Sequence, residues 1–264
     1  MILFQTRKRF GQHFLHEGFM VDKIVSAIDP KKTDNMLEIG PGLGALTQRL
    51  LPHLTSLTVV ELDKDLIPLL EKQCAHLGEL TIYQADALKF DLQSLDTTNT
   101  PWRVVGNLPY NISTPLLFRL LGQISSIQDM HFMLQKEIVN RMVAQPGDES
   151  YGRLSVMIQY YCEAKKLFIV KPGAFQPPPK VDSAVIRLIP YQIQPWQAND
   201  PVLLAEIVRT AFSHRRKMLR NNLGNLINAK QFELLGIDPK NRPEQLSIAD
   251  YVKISNFLAK LKQA

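Results

Sequence analysis

The stretch "WRVVGNLPYNISTPLLF" (102–118) runs an apolar strand into Asn107, Leu108, Pro109 and Tyr110. Proline cannot donate to a sheet ladder and asparagine favours turns, so the strand should stop here. The residues left at its end could hold the exocyclic amine of a nucleobase. Such an amine is a poor nucleophile, because its lone pair is delocalised into the ring. Acceptors aimed at its N–H protons favour the pyramidal amine, in which the lone pair is localised. Asn107 offers a side-chain oxygen and Leu108 a backbone carbonyl, while Pro109 fixes the turn. Tyr110 offers a face on which an extruded base could stack. The plainer alternative is a strand ended by proline and capped by asparagine.

Three strands earlier, "LEIGPGLGALT" (37–47) places Gly40, Gly42 and Gly44 between an apolar run and a helix-like segment. Glycines there permit a tight turn and close approach of a ligand to a helix N-terminus. Glu61 lies 21 residues after Gly40, at the end of "SLTVVEL". A carboxylate in that place can accept from both ribose hydroxyls, with Asp63 as its neighbouring competitor. Asp86, in "YQADALKF", could accept from the amine of an adenine or simply cap a helix. Together these residues favour a nucleoside-containing cofactor. Gly40, Gly42 and Ala45 also satisfy GxGxxA, which leaves a nicotinamide cofactor open.

Further candidates lie outside these turns. In "VKPGAFQPPPKVDSAV" (170–185), Pro172, Pro177, Pro178 and Pro179 should stiffen a loop that presents Phe175 as a second stacking face. The competing reading tucks Phe175 into the core. Arg7, Lys8 and Arg9 near the start, with Arg215, Arg216, Lys217 and Arg220 in "FSHRRKMLRNN", could pair with phosphates or be solvated faces.

These positions need a scaffold, and the pattern supplies one. Short apolar runs at 35–40, 56–62, 80–85, 102–107 and 130–135 alternate with helix-period segments at 45–54, 64–77 and 113–123. Such alternation predicts an α/β fold with a parallel, doubly wound sheet. Runs at 165–170 and 183–191 lack a long helix between them, which predicts an antiparallel hairpin closing the sheet. After the linker-like "QIQPWQANDP" (192–201) the texture becomes helical. The expected division is a catalytic domain over 1–196 with its N-terminal arm, and a small helical domain over 197–264.

Composition narrows the classes. With 264 residues, 45% hydrophobic and 21% charged, the chain is an ordinary globular protein. Its formal charge is +6, and 11 Lys/Arg against 6 Asp/Glu lie from Gln197 onward, which hints at a polyanionic partner. Cys74 and Cys162 stand alone without a CxxC, so buried free thiols are expected rather than disulfides or zinc. No secretory h-region or membrane-length apolar run occurs, and a cytoplasmic location is expected.

Taken together, "KRFGQHFL", "LEIGPGLGALT", "VVELD", "QADAL", "VGNLPYNIST", "YGRLSV", "FQPPPKVDSAV" and "AFSHRRKMLRNNL" closely resemble the ribosomal RNA adenine dimethyltransferases, most of all their bacterial small-subunit branch. The resemblance implies a class I, Rossmann-like fold with a helical C-terminal domain, and S-adenosylmethionine as cofactor. It implies N6,N6-dimethylation of two adjacent adenosines in the loop of the 3′-terminal hairpin of 16S rRNA, within an assembling 30S particle. Cofactor contacts carried over are His13, Leu15, Gly40, Gly42, Glu61, Asp86 and Asn107. Base contacts are Asn107, Leu108, Pro109, Tyr110 and Phe175. Many relatives have Asn where this chain has His13. A monomer without metal or membrane partner is expected. The 23S rRNA erythromycin-resistance enzymes usually read Asn-Ile-Pro-Tyr at the clamp, and a nicotinamide dehydrogenase would leave "NLPY" and Phe175 unused. A mainly non-catalytic assembly factor would use the same surface.

Overall fold

The computed structural model describes residues 13–95 and 100–263. Arg7, Lys8 and Arg9 lie outside the described residues. The chain divides into two compact units, residues 1–139 with 165–190, and 140–164 with 191–264.

The first unit is built on nine strands: β1 (Phe14–Leu15), β2 (Met36–Ile39), β3 (Ser56–Glu61), β4 (Glu79–Gln84), β5 (Trp102–Asn107), β6 (Ile127–Gln135), β7 (Cys162–Val170), β8 (Phe175–Gln176) and β9 (Ser183–Pro190). Seven form one sheet in the order β4-β3-β2-β5-β6-β9-β7. Pairs among β2 to β6 are parallel, and β9 runs antiparallel to β6. Central strands buried on both faces are mostly apolar, and β2 and β5, buried along nearly their whole length, carry only Glu38 and Arg103 as charged residues. The helices are α1 (Gly18–Ile28), α2 (Thr47–Leu50), α3 (Ile67–Cys74), α4 (Ser113–Leu121) and, at the start of the next segment, α5 (Lys136–Val143). The doubly wound parallel sheet expected from the sequence is therefore present.

Local details differ from the pattern. The helix expected over 45–54 is one α-turn followed by a 3-10 turn, Leu51–His53, at Pro52. Ser113 is the first residue of α4, and its hydroxyl donates back to the Tyr110 carbonyl at 3.1 Å. Arg103, on β5, is buried and closes α1. Its guanidinium donates to the carbonyls of Ile28 (2.6 Å) and Asp29 (3.2 Å) and pairs with Asp34 and Asp129. A buried cation is tolerated only with such complete pairing.

The second unit holds α6 (Arg153–Tyr161), α7 (Pro201–Ala211), α8 (Leu219–Asn222), α9 (Ala229–Leu234) and α10 (Ile248–Gln263). Asp200 caps α7 by accepting from the Val202 and Leu203 amides at 2.9 Å, with Pro201 in the first turn. Residues 140–164 group with these helices, although their last three, from Cys162, already begin β7. Tyr151 shows why: it is fully buried, its hydroxyl donates to the Leu246 carbonyl at 3.0 Å, and its ring packs on Phe212. The unit boundary thus falls after Pro190 and takes in an earlier segment that sequence continuity had placed with the sheet.

The basic segment is not one helix. α7 ends at Ala211, a 3-10 turn follows, and Met218 is extended (φ −65°, ψ 154°). Asn222 donates to the carbonyls of Ala211 and His214, and the amides of Leu219 and Arg220 donate to Asn241 and Pro239. Those tertiary bonds replace the helical ladder. Arg215, Arg216, Lys217 and Arg220 are exposed along this turn, with the Arg215 guanidinium donating to the Glu149 carbonyl. Cys74 and Cys162 are buried free thiols, pushed up to about 11 and about 12 by burial. No helix among the described residues is long and apolar enough to cross a membrane.

Candidate active site

In an open parallel sheet, ligands bind beyond the carboxyl ends of the strands where the strand order reverses. Here β2 has β3 on one side and β5 on the other, so the reversal lies between β2 and β5. A cavity opens there, and His13, Gly40, Gly42, Glu61, Asp86, Asn107, Leu108, Pro109 and Tyr110 all line it. His13 immediately precedes β1, and the others end or follow β2, β3, β4 and β5, which is why residues 97 positions apart (His13 to Tyr110) meet.

The glycine loop and β3 are joined through one carboxylate. Glu61 accepts from the Gly42 amide at 3.1 Å and from the Asp63 amide at 2.8 Å, one bond to each oxygen. Gly42 has φ +58°, and a Cβ there would meet the Phe14 ring at 3.0 Å, so the turn needs glycine. Gly106 is required for another reason. A Cβ on it would lie 2.5 Å from the Ile39 carbonyl oxygen, so only glycine lets β5 approach the end of β2 this closely. Asp86 accepts from the Leu88 amide at 2.9 Å, a local turn that uses one of its two oxygens. Asp63 is buried and accepts from the Asp65 amide, which gives it a turn-forming role.

At the end of β5 the bonding fixes orientations. The Asn107 amide group donates to the His13 carbonyl at 3.0 Å. A carbonyl can only accept, so the Asn107 nitrogen is committed and its side-chain oxygen stays available as an acceptor. The Leu108 amide donates to the Met133 carbonyl, and the Leu108 carbonyl accepts no hydrogen bond among the described residues. Two acceptors therefore stand at consecutive positions. The His13 ring bonds the Pro177 carbonyl through Nδ1 at 2.8 Å and lies 5.5 Å from the Tyr110 ring, tilted by 31°. Because that partner also only accepts, Nδ1 carries a proton and donates it. Tyr110 is half-buried; burial raises its hydroxyl above the usual phenol range, so it stays neutral at neutral pH.

Phe175 is a correction. It is 2% exposed, pairs through β8 with Leu15 of β1, and belongs to the core. It does not line the cavity. The two-residue strand β8, paired with β1, turns Phe175 inward. Leu15 is buried as well and pairs with Phe175, two residues from the His13 carbonyl that Asn107 bonds.

Two cavity residues escaped the sequence reading. His131 is buried, and burial pushes it down to about 4, so it is neutral. Glu38, in β2, is 2% exposed and accepts from the Thr47 hydroxyl at 2.7 Å; burial pushes its carboxyl up to about 8. A lone acid inside the apolar run "NMLEIG" was the available signal. At pH 7 the folded chain keeps this proton while the unfolded chain, near 4.5, does not. Stability should therefore be full below about pH 4.5 as far as Glu38 is concerned, and fall as pH rises toward about 8. Glu38→Gln should flatten that slope when melting temperatures of both proteins are compared from pH 5 to 8.5.

A parallel sheet in this strand order, with a glycine loop and a strand-end acid facing the switch-point cleft, is the architecture of the Rossmann-like methyltransferases. The dimethyladenosine transferase of Plasmodium falciparum superposes with a TM-score of 0.80 at 28% identity, over 94% of this chain and 98% of that one. The 23S rRNA methyltransferase ErmE shares the fold, with a TM-score of 0.72 at 22% identity over 93% and 99%. Within that class, this chain belongs to the ribosomal RNA adenine dimethylase family, whose model matches residues 3–260. Ribosomal RNA small subunit methyltransferase A of Coxiella burnetii (strain RSA 493) is 56% identical over 252 residues, 96% of this chain and 97% of that protein. Its namesake in Marinomonas sp. is 52% identical over 256 residues, covering 97% and 96%. The protein is an S-adenosylmethionine-dependent rRNA adenine dimethyltransferase.

The cavity fits that cofactor. Glu61 is prealigned by two backbone amides and retains lone pairs for ribose hydroxyls. Asp86 has an oxygen beyond its turn for an adenine amine. Glycines 40 and 42 bring bare backbone to the same wall.

Proposed function

We propose that this enzyme dimethylates N6 of two adjacent adenosines in the loop of the 3′-terminal hairpin of 16S rRNA, acting as a cytoplasmic monomer on the 30S particle. The names and high identity of its relatives support the small-subunit assignment. The observation that carries the chemistry is the commitment of the Asn107 nitrogen to the His13 carbonyl.

The cofactor supplies an electrophilic methyl group and leaves as a neutral thioether. Asn107 Oδ1 and the Leu108 carbonyl accept the N6 protons, two before the first transfer and the one that remains before the second, and draw the amine toward the pyramidal geometry in which its lone pair is localised. Pro109 fixes the carbonyl between them. The Tyr110 ring stacks on the base once it is extruded from the loop. The surplus proton passes to water after transfer, so neither a metal nor a dedicated base is needed. Phe175, buried, is not assigned a stacking role. Glu61 holds the ribose, while His13 and Leu15 contribute to the cavity wall that would face the cofactor.

Arg215, Arg216, Lys217 and Arg220 present four cations on a turn of the second unit and are assigned to rRNA phosphates; Arg7, Lys8 and Arg9 are assigned the same role from sequence alone. Replacing Arg215, Arg216, Lys217 and Arg220 together by Ala should weaken 30S binding and reduce the slope of log K against log salt by up to about four. S-adenosylmethionine affinity should be unchanged by calorimetry. Wild-type 30S binding across the salt series would make this turn a solvated face.

The substrate assignment is tested by offering undermethylated small and large subunits together with labelled S-adenosylmethionine. Label should enter only the small subunit. Label in 23S rRNA would reassign the enzyme.

A further inference from the structure

Tyr110 is the stacking residue, and the direction in which its ring points is set at the hydroxyl end. The bond that holds that end comes from outside the cavity wall. Ser183, the first residue of β9, is fully buried, and its hydroxyl lies 2.6 Å from the Tyr110 hydroxyl. Ser183 is itself clamped by strand pairing with Gln135 of β6. It does not line the cavity, so it has no route to a bound base or cofactor except through Tyr110.

We propose that Ser183 is a positioning residue for methyl transfer, tethering the Tyr110 hydroxyl so that the ring meets the extruded base in one fixed orientation. The inference rests on the adenine-dimethylation reading above. A tyrosine ring anchored only at its Cβ end can change rotamer, whereas a second anchor at the hydroxyl removes that freedom. The neighbouring His13 ring bears on one side of Tyr110 at 5.5 Å but does not hold its distal end. Stacking and the two acceptors at Asn107 and Leu108 must act on the same base at once. A swinging ring therefore misplaces the amine even when the base is bound.

The hydrogen bond can be removed from either end. Ser183→Ala deletes it from the buried side and Tyr110→Phe from the half-buried side, where folding is little disturbed. Single-turnover methylation of undermethylated small subunits is measured at saturating cofactor, with S-adenosylmethionine affinity and melting temperature measured in parallel. Each variant should slow transfer by about tenfold, the scale of one lost hydrogen bond. The double variant should be no slower than either single one, because both delete the same bond. Cofactor affinity should stay at the wild-type value. A purely structural serine would instead lower melting temperature and cofactor affinity and leave the rate of the folded fraction alone. Wild-type rates in both single variants, or losses that multiply in the double one, would overturn the proposal while leaving the substrate assignment standing. Absence of methylation by the wild-type protein in the same assay would overturn both.

Discussion

Asn107→Ala should slow methyl transfer by roughly 10²–10³-fold, by analogy with deleting one hydrogen bond made chiefly in the transition state. The side-chain oxygen matters most as N6 becomes pyramidal and its protons acidify, so the loss belongs to the chemical step. Some affinity for cofactor should also be lost, because the same side chain donates to the His13 carbonyl and so holds the arm. Asn107→Asp separates the two roles. It keeps an acceptor but cannot donate to His13, and it sets two acceptors against each other. Single-turnover rates at saturating cofactor, beside calorimetric affinities, distinguish these effects. A wild-type rate for Asn107→Ala would reduce the clamp to the end of a strand.

The second large effect is on stability. Phe175→Ala should destabilise the protein by about 3–5 kcal/mol, the usual cost of emptying an aromatic site in a core. Phe175 shares its core with Leu15, Val170, Ala174 and Val185, and its strand pairs with β1. The variant should therefore also loosen the arm that carries His13 and weaken S-adenosylmethionine binding. Phe175→Leu, which keeps most of the apolar volume, should recover much of both. Denaturant unfolding gives the free energy, and calorimetry the affinity. Had Phe175 been an exposed stacking face, the Ala variant would unfold like wild type and lose only base binding.

The contrast between Asn107 and Phe175 shows what the sequence made legible. The strand-end positions Gly40, Glu61, Asp86 and Asn107 could be placed because buried parallel strands read as continuous apolar runs. The first polar residue or glycine beyond each run then faces the switch-point cleft. Phe175 gave no such cue. In a two-residue strand there is no alternation from which to read a face, and the prolines around it said only that the loop is stiff. Glu38 and Ser183 were hidden for the opposite reason, lying inside runs whose apolar neighbours drew attention to packing. The partnership of 140–164 with the helices rests on long-range contacts such as Tyr151 to the Leu246 carbonyl, which have no local sequence signature. The basic segment looked helical by composition, and only side-chain and tertiary bonds from Asn222, Asn241 and Pro239 break it.

The central claim concerns which atoms receive methyl groups, and nucleoside mapping tests it most directly. Undermethylated 30S particles would be incubated with wild-type enzyme and labelled S-adenosylmethionine, and the 16S rRNA digested and analysed by mass spectrometry. The account predicts N6,N6-dimethyladenosine at two adjacent positions in the 3′-terminal hairpin loop, with none formed by Asn107→Ala in the time of one wild-type turnover. Label on another base, on another atom of adenine, or elsewhere in the rRNA would contradict it.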